Sequence, residues 1–218
     1  MEGRESGERS HLPAGDFAAW VTSMQVAIRD RGESRVPCGG CTACCTSSQF
    51  VHIAPDEADT LARIPADLLV PAPRLPDGHM LLGYDERGHC PMLVEGSCSI
   101  YAHRPRACRT YDCRVFPAAG LGLEDDPDRA AIDRRARRWR FAHPGRDDRR
   151  RHAAVRAAAA FLGDHQELLP DGAATTPTQH AALAVAVHDV FLADRCGQDP
   201  DPAAIRVQLR RRLSATRA

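Results

Sequence analysis

No lysine occurs among the 218 residues, so all 29 basic residues are arginine, and 29 acidic residues balance them to a formal net charge of zero. A neutral chain has no overall electrostatic attraction to nucleic acid or to an anionic membrane. Because a nucleic-acid binder ordinarily mixes lysine with arginine, we interpret the missing lysine as codon bias in a GC-rich genome. The composition therefore favours neither partner.

Long hydrophobic runs are also missing from the sequence. None approaches the roughly 20 apolar residues of a membrane span, and the hydrophilic N-terminus, MEGRESGERSHLPAG, lacks the apolar segment of a secretory signal. We therefore expect a soluble, cytoplasmic protein that does not bind a membrane. In a reducing compartment, its nine cysteines favour metal ligation or redox chemistry over a disulfide framework.

Familiar catalytic motifs are absent as well. The sequence has no P-loop, no GxGxxG, no GxSxG and no HExxH, which mark phosphate, dinucleotide, hydrolase and zinc-protease sites. Asp112 lies between two cysteines, but position alone does not make it a catalytic base. We therefore predict no catalytic residue, and whether the chain is an iron–sulfur oxidoreductase or an accessory protein to one stays open.

The cysteines themselves divide the chain. Eight of the nine lie between Cys38 and Cys113, and only Cys196 lies beyond them. We predict two domains on this basis. The first, 14–118, combines an N-terminal helix with a cysteine-cluster metal-binding core, and the second, 127–215, is a helical region packed on it.

The first domain is predicted to begin with a helix over 14–32. Asp16 caps this helix and Gly32 ends it. Its apolar residues recur at helical spacing and are Phe17, Val21, Met24 and Ile28.

The cysteine core over 33–118 is predicted to contain a short helix and a hairpin. The helix begins at Pro55–Glu57, where a proline and two acidic residues form a favourable first turn, and it stops before Pro65. The hairpin pairs Met80–Tyr84 with Cys90–Leu93. Tight turns are predicted at two glycine-containing segments, Asp85–Gly88 and Glu95–Gly96.

The C-terminal half is predicted to contain four helices with ordinary apolar stripes. The first carries Ile132, Ala136 and Trp139 on one face, and Thr176 opens another with a capping box. The four helices begin at or near Asp126–Pro127, Arg149, Thr176 and Asp201–Pro202. The expected fold class is therefore α+β, mainly α, with a small cysteine-rich metal-bound core and a short β-hairpin, followed by a helical C-terminal half.

The first cysteine cluster reads Cys38-Gly-Gly-Cys41-Thr-Ala-Cys44-Cys45. Two-residue gaps let a turn direct successive thiolates at one centre. The small residues between them permit a tight wrap in which backbone N–H groups face the sulfurs, as in zinc knuckles and iron–sulfur loops. A run this dense points to metal ligation rather than to small buried residues.

The other four candidate ligands are spaced too widely to form one loop, so turns must return them to the first cluster. They are Cys90, Cys98, Cys108 and Cys113. Eight thiolates exceed the four ligands of a tetrahedral metal. Either two four-cysteine centres form, or one centre forms and the spare thiols have another task.

The adjacent pair Cys44 and Cys45 favours two centres. Neighbouring side chains of an extended segment point to opposite sides, so the pair serves two centres more naturally than one. We hypothesise that Cys38, Cys41 and Cys44 serve one centre while Cys45 joins distal cysteines. Which distal cysteines join which centre cannot be assigned from spacing.

Three features of the core resemble the YkgJ-type cysteine-cluster family. They are the CxxCxxCC run at Cys38–Cys45, the segment Gly88–Tyr101 that ends in Cys98-Ser-Ile-Tyr101, and the motif from Arg104 to Arg109. The resemblance covers roughly residues 33–118 and implies a zinc- or iron-chelating domain. It also implies the metal ligands, which are Cys38, Cys41, Cys44, Cys45, Cys90, Cys98, Cys108 and Cys113.

Four thiolates suit both zinc and an iron–sulfur cluster. A Cys-x2-Cys-x2-Cys run with a separate Cys-Pro, here Cys90–Pro91, is reminiscent of ferredoxin loops, and the chain has no second CxxC of the kind that structural zinc sites use. We expect an iron–sulfur cluster with an electron-transfer or redox role beside a partner enzyme. The alternative is a non-catalytic module in which zinc stabilises an interaction surface, and a metal-free thiol–disulfide enzyme is a third class.

We predict structural roles for the polar residues near the cysteine cluster. With eight cysteines present, we expect none of His52, His89 and His103 to bind metal, and we expect Tyr101 and Tyr111 to shield the metal site. Four arginines lie near the last cysteines of the core. Two functional roles are open to them, balancing thiolate charge or binding an acidic substrate, but we favour a structural Arg–Pro turn with surface ion pairs. The four arginines are Arg104, Arg106, Arg109 and Arg114.

An arginine-rich stretch follows over 129–156. A helix this basic can contact phosphates, but it lacks interleaved aromatic residues for base stacking and fits no DNA-binding motif. We therefore do not favour nucleic acid as a partner. We expect a solvated helix face that pairs partly with the acidic stretch 124–128.

Overall fold

The computed structural model describes residues 11–29, 32–123, 126–168, 176–192 and 201–215, so Cys196 lies outside the described residues. The helices are α1 (Phe17–Arg29), α2 (Ala58–Leu61), α3 (Arg106–Thr110), α4 (Val115–Ala119), α5 (Ala130–Ala136), α6 (Arg146–Asp164), α7 (Pro177–Val187) and α8 (Pro202–Ala215). The strands are β1 (Leu12–Asp16), β2 (Val51–Ile53), β3 (Leu69–Pro71), β4 (Met80–Leu82), β5 (Leu93–Val94), β6 (Ser97–Cys98) and β7 (Trp139–Ala142).

The larger hydrophobic core lies among the helices. Helix α1 packs on α6 and α7, and α4 packs on the same two helices. Buried side chains from several helices meet there, including Phe17, Phe116, Val155, Leu162 and Val185. The expected fold class, α+β and mainly α, is confirmed. The division into domains 14–118 and 127–215 stays a prediction.

Side-chain caps fix where two of these helices begin. Thr176 accepts a hydrogen bond from the Gln179 amide and Gln179 accepts one from the Thr176 amide, which confirms the predicted capping box. The first turn of α1 is held differently, because the amide of Ala18 donates to the Asp148 carboxylate at 2.9 Å. Asp148 belongs to α6, so the cap comes from a distant segment instead of from Asp16.

Strands β1 and β7 form a parallel pair that the sequence did not predict. The predicted first helix included residues 14–16, but β1 occupies Leu12–Asp16 and pairs with β7, where Leu12 lies opposite Trp139. Trp139 was predicted to continue the helical stripe of Ile132. It lies instead in a strand after α5 ends, because pairing with β1 satisfies its backbone while its ring stays buried.

The cysteine segment contains a second, smaller core. Strands β2, β4 and β3 form an antiparallel sheet in that order. Helix α2 ends before Pro65, as predicted. Five side chains are buried between these elements, and they are Ile53, Ile64, Leu82, Met92 and Ile100.

The predicted hairpin is wrong in its strands and right in its turns. Met80–Leu82 pairs with β2 and β3, and not with Cys90–Leu93. The turn at Asp85–Gly88 forms, with the Gly88 amide donating to the Asp85 carbonyl at 2.9 Å. The hairpin of the structure is the shorter one across Glu95–Gly96, in which β5 pairs with β6. Leu82 prefers the sheet because its side chain is buried there.

No helix in the described ranges is both long and apolar enough to cross a membrane.

A buried ion pair lies at the edge of the larger core, beside Cys113. Asp112 and Arg114 lie 2.7 Å apart, with side-chain exposures of 0% and 9%. Asp112 also accepts hydrogen bonds from the Trp20 indole and the Ser34 hydroxyl, each at 2.9 Å. Arg114 donates to the carbonyl of Ala14. The Asp112–Arg114 pair therefore holds α1 and β1 against the segment that carries Cys113.

Replacing Asp112 with alanine is expected to lower the free energy of unfolding by about 3–5 kcal/mol, because Arg114 then stays buried without a counter-charge. Urea unfolding followed by circular dichroism measures the change. The matched control is Asp147→Ala, which breaks an exposed pair with Arg151 and is expected to cost less than about 1 kcal/mol. Equal losses in the two variants would contradict the role of the buried pair.

Candidate metal centre

The first cysteine cluster forms the tight wrap that its small residues predict. The Cys41 amide donates to the Cys38 carbonyl at 3.1 Å, and Gly39 between them has a φ of +57°, which glycine adopts without strain. The chain then enters a 3₁₀ turn over Ala43–Thr46. Four thiols therefore leave a segment of only eight residues.

The turn over Ala43–Thr46 separates the thiols of Cys44 and Cys45. The pair was expected in an extended segment with side chains on opposite sides. A 3₁₀ turn has about three residues per turn, so adjacent side chains leave it about 120° apart. The physical reason is different, but the consequence is the same, because the two thiols face different neighbours.

Cys44 lies near three thiols that form one set with it, and near the adjacent Cys45. Although the residue as a whole is exposed, desolvation of its thiol raises its pKa well above the ordinary value, and the thiols of Cys113, Cys45, Cys38 and Cys41 raise it further. Burial likewise raises the pKa of Cys113 to about 11, with Cys38 and Cys41 among its neighbours. We name this set the first group: Cys38, Cys41, Cys44 and Cys113.

Cys45 faces a different set of thiols. Its pKa is raised to about 11, first by burial and then by the thiols of Cys90 and Cys98, with a smaller contribution from Cys41. Burial raises the pKa of Cys108 to about 12, and its neighbouring thiols are those of Cys45, Cys90 and Cys98. We name this set the second group: Cys45, Cys90, Cys98 and Cys108.

Backbone contacts hold the second group together. The Cys90 amide donates to the Cys45 carbonyl at 2.8 Å, which joins the first cluster to the later segment. Cys98 lies opposite Leu93 in the β5–β6 hairpin, and the Leu93 amide donates to the Cys90 carbonyl. Cys90 and Cys98 also pack on the smaller core. The short hairpin thus returns both cysteines to Cys45.

The donor set of each group fits a metal that takes four thiolates, which is true of zinc and of iron–sulfur clusters. Within the described residues, no three cysteine, histidine, aspartate or glutamate side chains converge tightly enough to hold a metal ion as they stand. Binding therefore requires the sulfurs of a group to move together, because metal–sulfur bonds are about 2.3 Å long for zinc.

Two residues of the helical half contact the first group, and the sequence did not identify either role. The indole N–H of Trp139 donates to the Cys113 sulfur at 3.2 Å. The guanidinium of Arg135 donates to the Cys38 carbonyl at 3.1 Å. Trp139 was predicted to lie on the apolar stripe of a helix, and Arg135 was predicted to lie on a solvated helix face. Neither prediction suggested a contact with a cysteine.

The two tyrosines differ from each other. Tyr111 lies beside the first group as expected, since burial raises its pKa and the nearby thiols of Cys44 and Cys113 raise it further. The shielding role predicted for Tyr101 is wrong, because Tyr101 is 63% exposed. Its ring stacks under the Arg104 guanidinium, which is 3.7 Å from the ring centroid.

The histidines that were considered as ligands have other contacts. The Nε2 atom of His52 lies 2.8 Å from Nδ1 of His79. The His89 amide donates to Asp85, and the His103 carbonyl accepts from Thr60. None of these rings is among the groups that shift the pKa of a described cysteine.

The arginines near the late cysteines mostly form ion pairs. Arg106 lies 2.7 Å from Asp56, and Arg109 lies 3.2 Å from Glu33. Arg114 is the buried partner of Asp112. These pairs agree with the structural interpretation of this turn. Arg104 differs because it lies near thiols of both groups. The pKa values of Cys38, Cys45 and Cys108 are raised, chiefly by burial, and the positive charge of Arg104 opposes part of this rise.

The arginine-rich stretch also pairs with acidic residues. Arg129 lies 3.0 Å from Asp126, and Arg137 lies 2.6 Å from Asp133 on the same helix. Arg151 pairs with Asp147 in α6. Glu124 and Asp125 lie outside the described residues. The described part of the stretch is thus a partly paired surface, as expected.

A family comparison agrees with this geometry. Residues 37–126 match the protein-family model CxxCxxCC, whose description reads "Putative zinc- or iron-chelating domain". The match spans both groups of cysteines, confirms the resemblance to a cysteine-cluster family, and supports metal binding. No curated protein and no solved structure matches the chain.

The metal-free, reduced protein is expected to lose stability as the pH rises from about 9 towards 11. The pKa values of Cys45 and Cys113 are raised to about 11 in the folded chain, whereas thiols of the unfolded chain ionise near about 8.5. The stability is therefore complete below the unfolded pKa and is lost as the pH rises through the folded values. Urea midpoints measured across this range, with chelator and reductant present, test the expectation.

The control for this pH dependence is a variant with alanine at both Cys45 and Cys113. Its stability is expected to fall less steeply above pH 9, because two of the thiols with raised pKa values are gone. Parallel curves for the variant and the unmodified chain would show that other groups cause the loss.

Proposed function

We propose that this chain, whose residues 37–126 are a domain of the CxxCxxCC family, binds metal at two centres of four cysteines each. The first group supplies one centre and the second group supplies the other. The observation that carries the proposal is that the adjacent thiols of Cys44 and Cys45 have different principal neighbours, Cys113 for Cys44 and Cys90 for Cys45, and that the Cys90 amide donates to the Cys45 carbonyl. Four thiolates complete a tetrahedral centre, and eight complete two.

We further propose that the metal is held as an iron–sulfur cluster with a redox role. The first group supports this assignment, because three of its thiols come from a Cys-x2-Cys-x2-Cys run and the fourth, Cys113, comes from a distant segment, as in ferredoxin-type ligation. The Cys90–Pro91 dipeptide belongs to the second group, so it does not complete this pattern. Electron exchange with a partner enzyme, in a reducing compartment such as the cytoplasm, is the role that suits such a cluster.

Zinc is the second candidate, and the size of the smaller core favours it. Only five of its described side chains are fully enclosed there, which is a small core for a segment that contains two sheets. Structural zinc contributes folding energy directly. In this case the chain is a non-catalytic module whose metal stabilises an interaction surface.

Substituting one cysteine in each group tests the two-centre proposal. Cys38→Ser and Cys90→Ser are each expected to reduce the metal content to about half, and the double variant is expected to bind almost none. The physical reason is that each variant leaves one group with all four thiolates. Elemental analysis of anaerobically purified protein gives the ratio of metal to chain.

Cys196→Ser is the matched control, because this ninth cysteine lies outside the family match. It is expected to retain the full metal content. If either single variant lost all metal, the eight thiols would form one interdependent centre. If neither lost any, the assigned cysteines would not be the ligands.

The identity of the metal is tested in the same preparation. An iron–sulfur protein is expected to be brown, with visible charge-transfer absorption and acid-labile sulfide that scales with iron. A colourless protein with two zinc ions per chain would replace this assignment with the zinc module. A folded chain without metal, whose thiols cycle with dithiol reductants, would contradict metal binding altogether.

A further inference from the structure

We propose that Trp139 is a positioning residue for the Cys113 sulfur in the first centre, and that Arg135 holds the loop of Cys38 in the same centre. This inference rests on the proposed two-centre function. Both residues lie beyond 37–126, the part of the chain that matches the family. The first centre would therefore be completed by the helical half, and the second centre would not.

The buried indole N–H of Trp139 donates its hydrogen bond to the Cys113 sulfur. The ring is 2% exposed, and its Nε1 atom lies 3.2 Å from the Cys113 sulfur. Indole has a single N–H and no acceptor, so this contact uses its whole hydrogen-bonding capacity. The strand pairing opposite Leu12 fixes the backbone, and the enclosed ring cannot adopt another rotamer without displacing the side chains packed around it.

Arg135 acts on the other end of the first group. It lies in α5, which packs on the turn Ala43–Thr46 that carries Cys44. Its guanidinium donates to the Cys38 carbonyl at 3.1 Å and lies 4.9 Å from the Trp139 ring centroid, within cation–π range. Arg135 and Trp139 thus form one unit that contacts both the loop and the distal ligand.

The second group has different surroundings. Its cysteines pack on the smaller core through Cys90 and Cys98, and the Cys90 amide bonds to the first cluster. Neither Trp139 nor Arg135 is among the described groups that act on the thiols of Cys45, Cys90 or Cys108. The inference therefore predicts an effect on one centre alone.

An N–H bond to a ligating sulfur offsets part of the thiolate charge and fixes the direction of its lone pairs. Substituting such outer partners of metal ligands typically costs 10–100-fold in metal affinity. The same bond lowers the energy of the sulfur electrons, so thiolate-to-metal charge transfer requires more energy while the bond is present. Loss of the indole N–H should change both properties.

Trp139→Phe tests the inference, because phenylalanine keeps an aromatic ring and removes the N–H. The substitution is made in the Cys90→Ser background, where only the first centre is complete, and in the Cys38→Ser background, where only the second is complete. Cobalt(II) serves as the probe. Its affinity at the first centre is expected to fall about 10-fold or more, with the sulfur-to-cobalt band moving to longer wavelength. At the second centre, affinity and spectrum are expected to stay unchanged.

Phe161→Leu is the control in both backgrounds, since it removes a ring that packs on Phe191 elsewhere in the helical half. It is expected to lower stability without moving the cobalt band. If Trp139→Phe does not fold, Arg135→Leu replaces it and is expected to weaken the first centre alone.

The outcomes separate this inference from the proposed function. Two intact centres in the unsubstituted chain, with no change on Trp139→Phe or with equal changes at both centres, would overturn the inference and leave the function standing. An unsubstituted chain that binds no metal would overturn both.

Discussion

The thiols of Cys44 and Cys45 point in different directions at the turn Ala43–Thr46. The arrangement of the whole cysteine segment depends on this difference. The backbone at Cys44 and Cys45 follows a 3₁₀ turn, so the two side chains leave it in different directions. Every later cysteine must then come to one side or the other of this turn. The hairpin of β5 and β6 brings cysteines to the side of Cys45, and the segment after α3 brings Cys113 to the side of Cys44.

The helical half matters to this arrangement because Cys113 is buried in the larger core. The residue before it, Asp112, is fixed by Trp20 and Arg114, and its own sulfur accepts from Trp139. Cys113 is therefore held in place from both sides, and the glycine-containing loop of Cys38 is held beside it by Arg135. The second group, by contrast, is held mainly by backbone hydrogen bonds and a small apolar core.

Local signals in the sequence predicted most of the helices and the separation of the first cluster. Capping residues such as Thr176 and the close spacing from Cys38 to Cys45 act over a few residues, so a single chain reveals them. The distant pairings did not follow in this way. Nothing local to Leu12 indicates a strand opposite Trp139, and Met80–Leu82 has the same alternation whether it pairs with β2 or with Cys90–Leu93. The fourth partner of each group, and the bond from Trp139 to sulfur, depend on such pairings.

The two groups of cysteines also affect each other through their charge. Burial raises the pKa of Cys113 in the first group and of Cys45 in the second to about 11, so these metal-free thiols are neutral at physiological pH and metal binding must release their protons. Four thiolates around zinc or an iron–sulfur cluster keep a net negative charge, and two such centres side by side repel each other. Arg135 acts on the first group, and Arg104 acts on both. A cation beside both groups offsets part of this repulsion, and the partly buried Arg104 has that position.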